Sequence, residues 1–184
     1  MPAPIKVELV PHRAEWARMA GEEIARISPA FGAGLVAIHH VGSTAIPGIC
    51  AKPILDLMPE LAALFHLDAP KLAIEMLGYQ WCAEYGIPGR RYCTLDDSSS
   101  GRRLVQLHCF QTGNPEIERH LAFRDYLRAN PEQALAYDGE KRRCRDLHPD
   151  NSHAYTEAKA AWIDSAMPRA LDHDRRERKY STIG

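Results

Sequence analysis

The residue types that could do chemistry are concentrated between positions 39 and 60, in the stretch HHVGSTAIPGICAKPILDLMPE. Its first part holds the turn residues Gly42, Ser43 and Thr44, and its second part holds one acid, Asp56, inside an apolar run. Glycine lets a ligand approach the backbone closely, and hydroxyl and N–H groups at such a turn bind phosphate oxygens. An acid inside an apolar strand requires a cation or water on its face. The stretch therefore predicts a phosphate site beside a metal-binding acid.

The turn by itself has a simpler interpretation. A strand end capped by the hydroxyl of Ser43 or Thr44 has the same sequence, and for a Gly-Ser pair alone that interpretation is the better one. The acid Asp56, about a dozen residues later in the chain, shifts the balance toward a binding site.

Three basic side chains near this stretch are candidates for binding phosphate. Lys52 follows the turn, and Arg90 and Arg91 follow the turn-rich sequence YGIPG. Arginine binds phosphate through paired N–H groups, and lysine binds it as a point charge. Neighbours on a strand point to opposite faces, so we expect one arginine to line the site and the other to lie at a solvated edge. The predicted substrate-binding set is Gly42, Ser43, Thr44, Lys52, Arg90 and Arg91.

The composition limits the classes of function. The chain has 184 residues, 45% of them hydrophobic, and a formal net charge of -1, which argues against a general nucleic-acid binder. No apolar run is long enough to span a membrane, and the N-terminal sequence lacks a signal-peptide pattern. The five cysteines are odd in number and lack CxxC spacing, as is typical of a reducing compartment. We expect a cytoplasmic protein with no membrane partner.

Hydrophobic periodicity and turn residues predict the elements that must position the candidate residues. Strands are predicted at 35–41, 53–59, 91–95 and 103–110, with extended stretches at 5–10 and 79–83. Helices are predicted at 12–27, 69–77, 116–129, 131–147 and 152–171. Ser28, Pro29 and the glycines at 32–34 are expected to end the first helix, and the charged residues 173–184 are expected to fray.

This order of elements predicts an α/β (α+β) fold, with a mixed sheet flanked by helices and a C-terminal helical segment. We expect one domain over residues 1–172, followed by a charged tail at 173–184. The sheet part is expected at about 1–113 and the helical part at about 114–172. Alternation along the second strand places Ile54, Asp56, Met58 and Glu60 on one face, and Leu55 and Leu57 on the other.

The order helix, strand ending in Gly-Ser, and acid within an apolar strand resembles the signature of the nucleotidyltransferase superfamily. The wording HVGSTAIPGICAKPILDL more narrowly resembles the GrpB family (the UPF0157 group). Further matches are GIPGRRY, LVQLHCF, HLAFRDYLRANPE and YTEAK. The resemblance implies a nucleotidyltransferase-like sheet, a catalytic role for Asp56, and a CoA-linked setting, because GrpB-like segments also occur fused to dephospho-CoA kinase.

The sequence departs from the superfamily pattern at one position. Active members place a second acid two residues after the first, so that two carboxylates hold the metal. Here that position is Met58, which cannot bind Mg²⁺, and Glu60 lies two positions too far along. The strand expected to supply a third acid offers His108 instead.

The predicted metal set is therefore Asp56, His108 and His40. A lone histidine among apolar residues is more often a satisfied core residue, but the family match places the strand of His108 beside that of Asp56. His39 and His40 point to opposite faces, so at most one of them faces the site. One carboxylate with histidine suits a single divalent ion, Mn²⁺ or Zn²⁺, better than two Mg²⁺ ions.

These residues leave two main hypotheses for function. One is metal-dependent nucleotidyl transfer from a nucleoside triphosphate to an unknown acceptor, with Asp56 as the catalytic acid. The other is a non-catalytic regulatory module that binds a nucleotide or a CoA-like ligand. A metal-dependent hydrolase using Asp56 and His108 has less support. In each case the expected partner is a phosphorylated small molecule. The sequence leaves open whether the chain forms a homo-oligomer.

Overall fold

The computed structural model describes residues 4–181. Its contacts divide the chain into two compact units. The sheet unit consists of residues 13–45 and 54–117, and the helical unit consists of residues 4–12, 46–53 and 118–181. The N-terminal segment and the loop 46–53 thus belong with the helices, whereas the sequence placed them in the sheet part.

The sheet unit contains two helices and five strands. They are α1 (Glu15–Phe31), β1 (Leu35–Val41), β2 (Leu55–Leu61), α2 (Lys71–Met76), β3 (Gln80–Trp81), β4 (Arg91–Asp96) and β5 (Arg103–Gln111). The strands form one mixed sheet in the order β1-β2-β5-β4-β3. β2 and β5 pair in parallel, and the other neighbours pair antiparallel. This confirms the predicted mixed sheet and the pairing of the strands that carry Asp56 and His108.

Strand register shows which side chains of β2 share a face. Leu57 lies opposite Leu107 in the β2–β5 ladder, and both are fully buried on one face. Asp56 lies opposite Gln106 on the other face, which also carries the fully buried Met58 and Phe110. The predicted alternation along β2 is therefore confirmed, and Asp56 has both polar and apolar neighbours on its face.

Helix α1 is longer than the sequence predicted. Pro29 lies inside its last turn, and the helix ends at Phe31. The next residue, Gly32, has a φ of 59° and caps the helix. Ile27 and Phe31 are both buried at i, i+4 spacing, so packing of one helix face continues past the proline. The predicted end at Ser28 and Pro29 was wrong because tertiary burial outweighed the local signal.

The helical unit contains α4 (Pro131–Leu147) and α5 (Ser152–Ser181). It also contains α3 (Pro115–Ala129) from residue 118 onward, because the first three residues of that helix belong to the sheet unit. Ile46 and Ile49 of the loop are fully buried in the core that these helices form. This burial explains why the loop belongs to the helical unit.

Two other predictions were wrong. The stretch 5–10 forms no strand beyond one bridge from Val10 to Ala51, because its N–H groups bond elsewhere, as Val7 does to the carbonyl oxygen of Pro149 at 2.7 Å. The expected fraying from residue 173 does not occur up to Ser181, where α5 ends. Ion pairs at i, i+4 spacing, such as Arg178 with Asp174, stabilise this last part of the helix. Residues 182–184 lie outside the described part of the chain.

No helix within residues 4–181 is long and apolar enough to cross a membrane. All five cysteines are free thiols.

Candidate functional site

The Gly-Ser turn and the acid of the next strand are in direct contact. Val41, the last residue of β1, lies opposite Asp56 in the β1–β2 ladder. Gly42 follows with a φ of 69°, a conformation that favours glycine. A Cβ atom at position 42 would overlap Oδ2 of Asp56. Glycine is required here for two reasons, and the turn borders the carboxylate as the sequence predicted.

The two hydroxyls of the turn have different surroundings. Thr44 is buried, and its Oγ1 lies 2.9 Å from Nε2 of His40. Ser43 is half-buried and begins the short 3₁₀ turn Ser43–Ala45. The Thr44 hydroxyl is thus used inside the protein, which leaves Ser43 as the better candidate for binding a ligand.

The two adjacent histidines of β1 point to opposite faces, as predicted. His40 lies opposite Leu57, on the face away from Asp56, whereas His39 lies opposite Met58, on the face of Asp56. The metal role given to His40 stays a prediction, but the ladder places His40 on the other face. His39 instead contacts Glu60, with 3.3 Å between Nε2 and Oε2.

Asp56 and His108 lie next to each other across the β2–β5 pair. Nε2 of His108 is 3.5 Å from Oδ1 of Asp56. The Asp56 side chain is 30% exposed and that of His108 is 15% exposed, so the pair reaches solvent. The structure therefore brings together Gly42, Asp56 and His108 among the predicted site residues.

Arg90 determines which nitrogen of His108 carries the proton. Its Nη1 lies 3.3 Å from Nδ1 of His108. A guanidinium has only N–H donors, so Nδ1 must accept with its lone pair, and the neutral ring then carries its proton on Nε2. That N–H group faces Asp56. While this hydrogen bond lasts, Nε2 has no lone pair to offer a metal ion.

The guanidinium of Arg90 is buried and surrounded by protein groups. Nη2 donates to the carbonyl oxygen of Tyr85 at 2.6 Å, and Nε donates to that of Glu84 at 3.2 Å. Its carbon atom Cζ lies 4.9 Å from the ring centroid of Tyr92. Burial lowers the pKa of Arg90 below its usual value. These contacts hold Arg90 beside His108, and its predicted contact with substrate stays a prediction.

Arg91 points away from this cluster. It lies opposite Cys109 in the β4–β5 ladder, and its guanidinium makes a two-point contact with Asp68, at 2.6 and 2.8 Å. Hydrogen bonding to Arg91 lowers the pKa of Asp68. The two arginines therefore diverge, as predicted, although only Arg91 lies in the strand.

Lys52 belongs to the helical unit. Its Nζ lies 5.9 Å from the ring centroid of Tyr155, which Lys159 also approaches, at 4.9 Å. Its role in binding phosphate stays a prediction from the sequence.

Two tyrosines near His108 were not predicted from the sequence. Tyr92 lies opposite His108 in the β4–β5 ladder, with ring centroids 5.3 Å apart. Tyr85 stacks on Tyr92, with centroids 4.9 Å apart and planes inclined by 15°. Burial, and then the charge of Asp56, raise the pKa of Tyr92. Counting back from the hairpin at 97–101 would not have paired Tyr92 with His108. The register shift between Leu95 and Asp96 creates this pair, so only the structure shows it.

The donor set around Asp56 fits one divalent ion and not two. Within residues 4–181, no group of three or more His, Cys, Asp or Glu side chains could hold a metal. Met58, two residues after Asp56 in β2, is fully buried and offers no ligand for Mg²⁺. Mg²⁺ is often held by one or two carboxylates together with substrate phosphates, and Asp56 alone meets that requirement. Mn²⁺ or Zn²⁺ bound through Nε2 of His108 would require Arg90 to release Nδ1.

Comparison with known proteins gives consistent matches. The family described as GrpB protein matches residues 6–169. The crystal structure of conserved protein GrpB from Enterococcus faecalis has a TM-score of 0.83 and 31% identity, covering 90% of this chain and 98% of that chain. UPF0157 protein YqkA of Bacillus subtilis is 39% identical over 165 residues, 90% of this chain and 47% of YqkA. A dephospho-CoA kinase of Mycolicibacterium paratuberculosis is 28% identical over 191 residues, 90% of this chain and 46% of the kinase.

The chain spans about half the length of these last two relatives. The family match covers most of the chain, and a GrpB structure shares its fold over nearly the full length of both proteins. The chain therefore belongs to the GrpB family.

Proposed function

We propose that the chain binds a nucleoside triphosphate at Gly42, Ser43 and Asp56 and transfers its nucleotidyl group to an acceptor. The observation that carries the proposal is the contact between Gly42 and the carboxylate of Asp56. It joins a turn suited to phosphate with an acid suited to the cation that accompanies a nucleotide. The resemblance to nucleotidyltransferases supports the choice of reaction.

Each residue of the site has a proposed role. The backbone at Gly42 and the hydroxyl of Ser43 contact phosphate oxygens, and Asp56 holds a divalent cation that arrives with the nucleotide. The bound cation would neutralise phosphate charge. His108 directs its Nε2 proton toward Asp56, and Arg90 keeps His108 in that tautomer. Nothing in this proposal requires His40, Lys52 or Arg91.

A second candidate function is binding without turnover. Two observations favour it. Met58 stands in place of the second acid and is fully buried. The hydrogen bond from Arg90 to Nδ1 of His108 keeps the proton on Nε2, the nitrogen that faces Asp56. The ligand would be a nucleotide or a CoA-like molecule. The similarity to a protein named dephospho-CoA kinase supports the CoA-like choice.

One experiment separates the two candidates. The protein is titrated with ATP, GTP, CTP and UTP, each with Mg²⁺ and with Mn²⁺, and both binding and pyrophosphate release are measured. Release with hydroxyl or amine acceptors supports transfer, and binding without release supports the binding module. Asp56→Asn should abolish either signal, and Asp68→Asn, which alters an acid on the Arg91 side, is the matched control. If Asp56→Asn behaves like the wild type, the site is wrong.

A further inference from the structure

The loop between β3 and β4 has an unfavourable backbone. Ala83 and Tyr85 have φ values of 48° and 45°, and they are the non-glycine residues with positive φ among those that the structure describes. A side chain with a Cβ atom rarely adopts this conformation, and where it does, surrounding contacts must enforce it. Such strain is often found beside a binding site.

Contacts from Tyr92 in β4 and from Arg90, the residue before β4, enforce the conformation of this loop. The N–H group of Tyr92 donates to the carbonyl oxygen of Ala83 at 2.8 Å. Arg90 donates to the carbonyl oxygens of Glu84 and Tyr85, and the same guanidinium contacts His108. One buried cation therefore fixes the loop and the histidine of the candidate site together.

The strained backbone places the ring of Tyr85 in a row of three aromatic rings. Tyr85 stacks on Tyr92, with centroids 4.9 Å apart and planes inclined by 15°. Tyr92 in turn contacts the tilted ring of His108, with centroids 5.3 Å apart and planes inclined by 55°. Tyr92 is buried, whereas Tyr85 is half-buried and reaches solvent. This row of rings thus leads from the site at Asp56 and His108 to a partly exposed ring.

We infer that Tyr85 stacks on the heteroaromatic base of the nucleotide whose phosphates lie at Gly42 and Asp56. This inference rests on the proposed function and adds the residue that recognises the base. Tyrosine stacks on any base through its π face, so the contact selects a planar ring and tolerates different bases. A strained loop fixed by a buried guanidinium holds the ring in place before the ligand arrives, which lowers the entropy lost on binding.

The test compares ligands with and without a base. Dissociation constants are measured, with Mg²⁺, for each of the four nucleoside triphosphates and for inorganic tripolyphosphate. The proteins are the wild type, Tyr85→Leu, Tyr85→Phe and Asp56→Asn. Removing a stacking ring weakens binding of a base on the order of tenfold. We expect Tyr85→Leu to weaken nucleotide binding by that factor without affecting tripolyphosphate, and Tyr85→Phe to bind like the wild type. Asp56→Asn should weaken both kinds of ligand.

A second measurement needs no variant of the loop. In the wild type with ¹³C-labelled tyrosine, a nucleotide should shift the ring signals of Tyr85 through its ring current, and tripolyphosphate should not. Equal binding of nucleotide by Tyr85→Leu and wild type, or unshifted Tyr85 signals in a protein that binds nucleotide, overturns the stacking contact alone. Failure of the wild type to bind any nucleotide overturns the proposed function and the stacking contact together.

Discussion

Each unit of the molecule holds an acid beside basic groups, and the two acids are used differently. In the helical unit, Asp138 accepts hydrogen bonds from the N–H group of Cys50 at 2.7 Å and from Nε of Arg142 at 2.9 Å. Nζ of the buried Lys141 lies 3.5 Å from Asp138 and donates to the carbonyl oxygen of Cys50. These bonds use both carboxylate oxygens.

Asp56 in the sheet unit has a more open environment. Its carboxylate borders the backbone of Gly42 and faces His108 at 3.5 Å, and almost a third of the side chain is exposed. Asp138 fastens the loop 46–53 to α4, whereas Asp56 has room for a ligand. The comparison shows that an acid among apolar residues does not by itself indicate a binding site. The partners of its carboxylate in the structure must be known first.

The largest expected effect is the loss of free energy of unfolding when Asp138 is replaced. Burial alone would raise the pKa of Asp138, but Arg142, Cys50 and Lys141 together lower it. Asp138→Asn would leave the buried charge of Lys141 without its partner and should destabilise the protein by about 3 kcal/mol. Asp56→Asn should change the free energy of unfolding by less than about 1 kcal/mol, because its environment is partly solvated. Urea denaturation of both variants measures the difference, and equal losses would contradict the comparison.

The contact between Gly42 and Asp56 is expected to have the next largest effect. Gly42 and Gly101 have nearly the same φ, 69° and 68°, but only Gly42 would bring a new Cβ atom onto another residue. Gly101→Ala should cost about 1 kcal/mol from backbone strain. Gly42→Ala should cost about 1 to 2 kcal/mol more, because the methyl group overlaps Asp56. The same urea experiment is the measurement, and equal costs would show that the turn can move away from the carboxylate.

The contribution of Lys141, in the helical unit, to the free energy of unfolding should depend on pH. Burial first, and then the charge of Lys159, lower the pKa of Lys141 to about 8, although Asp138 opposes the change. Unfolded lysine keeps its proton to higher pH, so above pH 8 the unfolded state binds more protons and the folded state gains stability as pH rises. Relative to Lys141→Met, the wild type should gain about 1 kcal/mol between pH 7.5 and 9. The comparison with Lys141→Met cancels the titration of other groups, and a difference that is constant with pH would contradict the prediction.

The smallest effect is a change of tautomer at His108. In the wild type, ¹⁵N NMR should show His108 protonated on Nε2, because Nδ1 accepts from Arg90. Arg90→Met removes that donor and should give a mixture of tautomers. Arg91→Met is the matched control, because Arg91 lies on the other face and contacts Asp68. Protonation on Nδ1 in the wild type would return His108 to the set of metal ligands.

Much of the fold could be predicted from the sequence where local patterns were decisive. The strand Leu35–Val41 was predicted with its observed bounds, and the alternation around Asp56 gave the correct face of β2. The end of α1 and the course of residues 5–10 could not be predicted. The burial of Phe31 and the hydrogen bond from Val7 to Pro149 depend on partners distant in the chain.

The candidate site was predicted in its parts and not in its connections. The sequence predicted Gly42, Asp56 and His108 as site residues, and the structure places these three close together. The predicted role of Arg90 as a phosphate ligand stays a prediction, and the structure adds that Arg90 lies between His108 and the carbonyl oxygens of the loop. The structure also shows that the hydroxyls of Ser43 and Thr44 have different surroundings, because the Thr44 hydroxyl contacts His40.

The sequence alone determined most of the strands and helices and the face of the sheet on which Asp56 lies. These features depend on residue type and on the two-residue period of a strand, which are local. Only the tertiary structure decided that Gly42 touches Asp56, that Arg90 sets the tautomer of His108, and that Tyr85 stacks on Tyr92. Such contacts depend on strand register and on loops that close over long separations, and no local pattern encodes them.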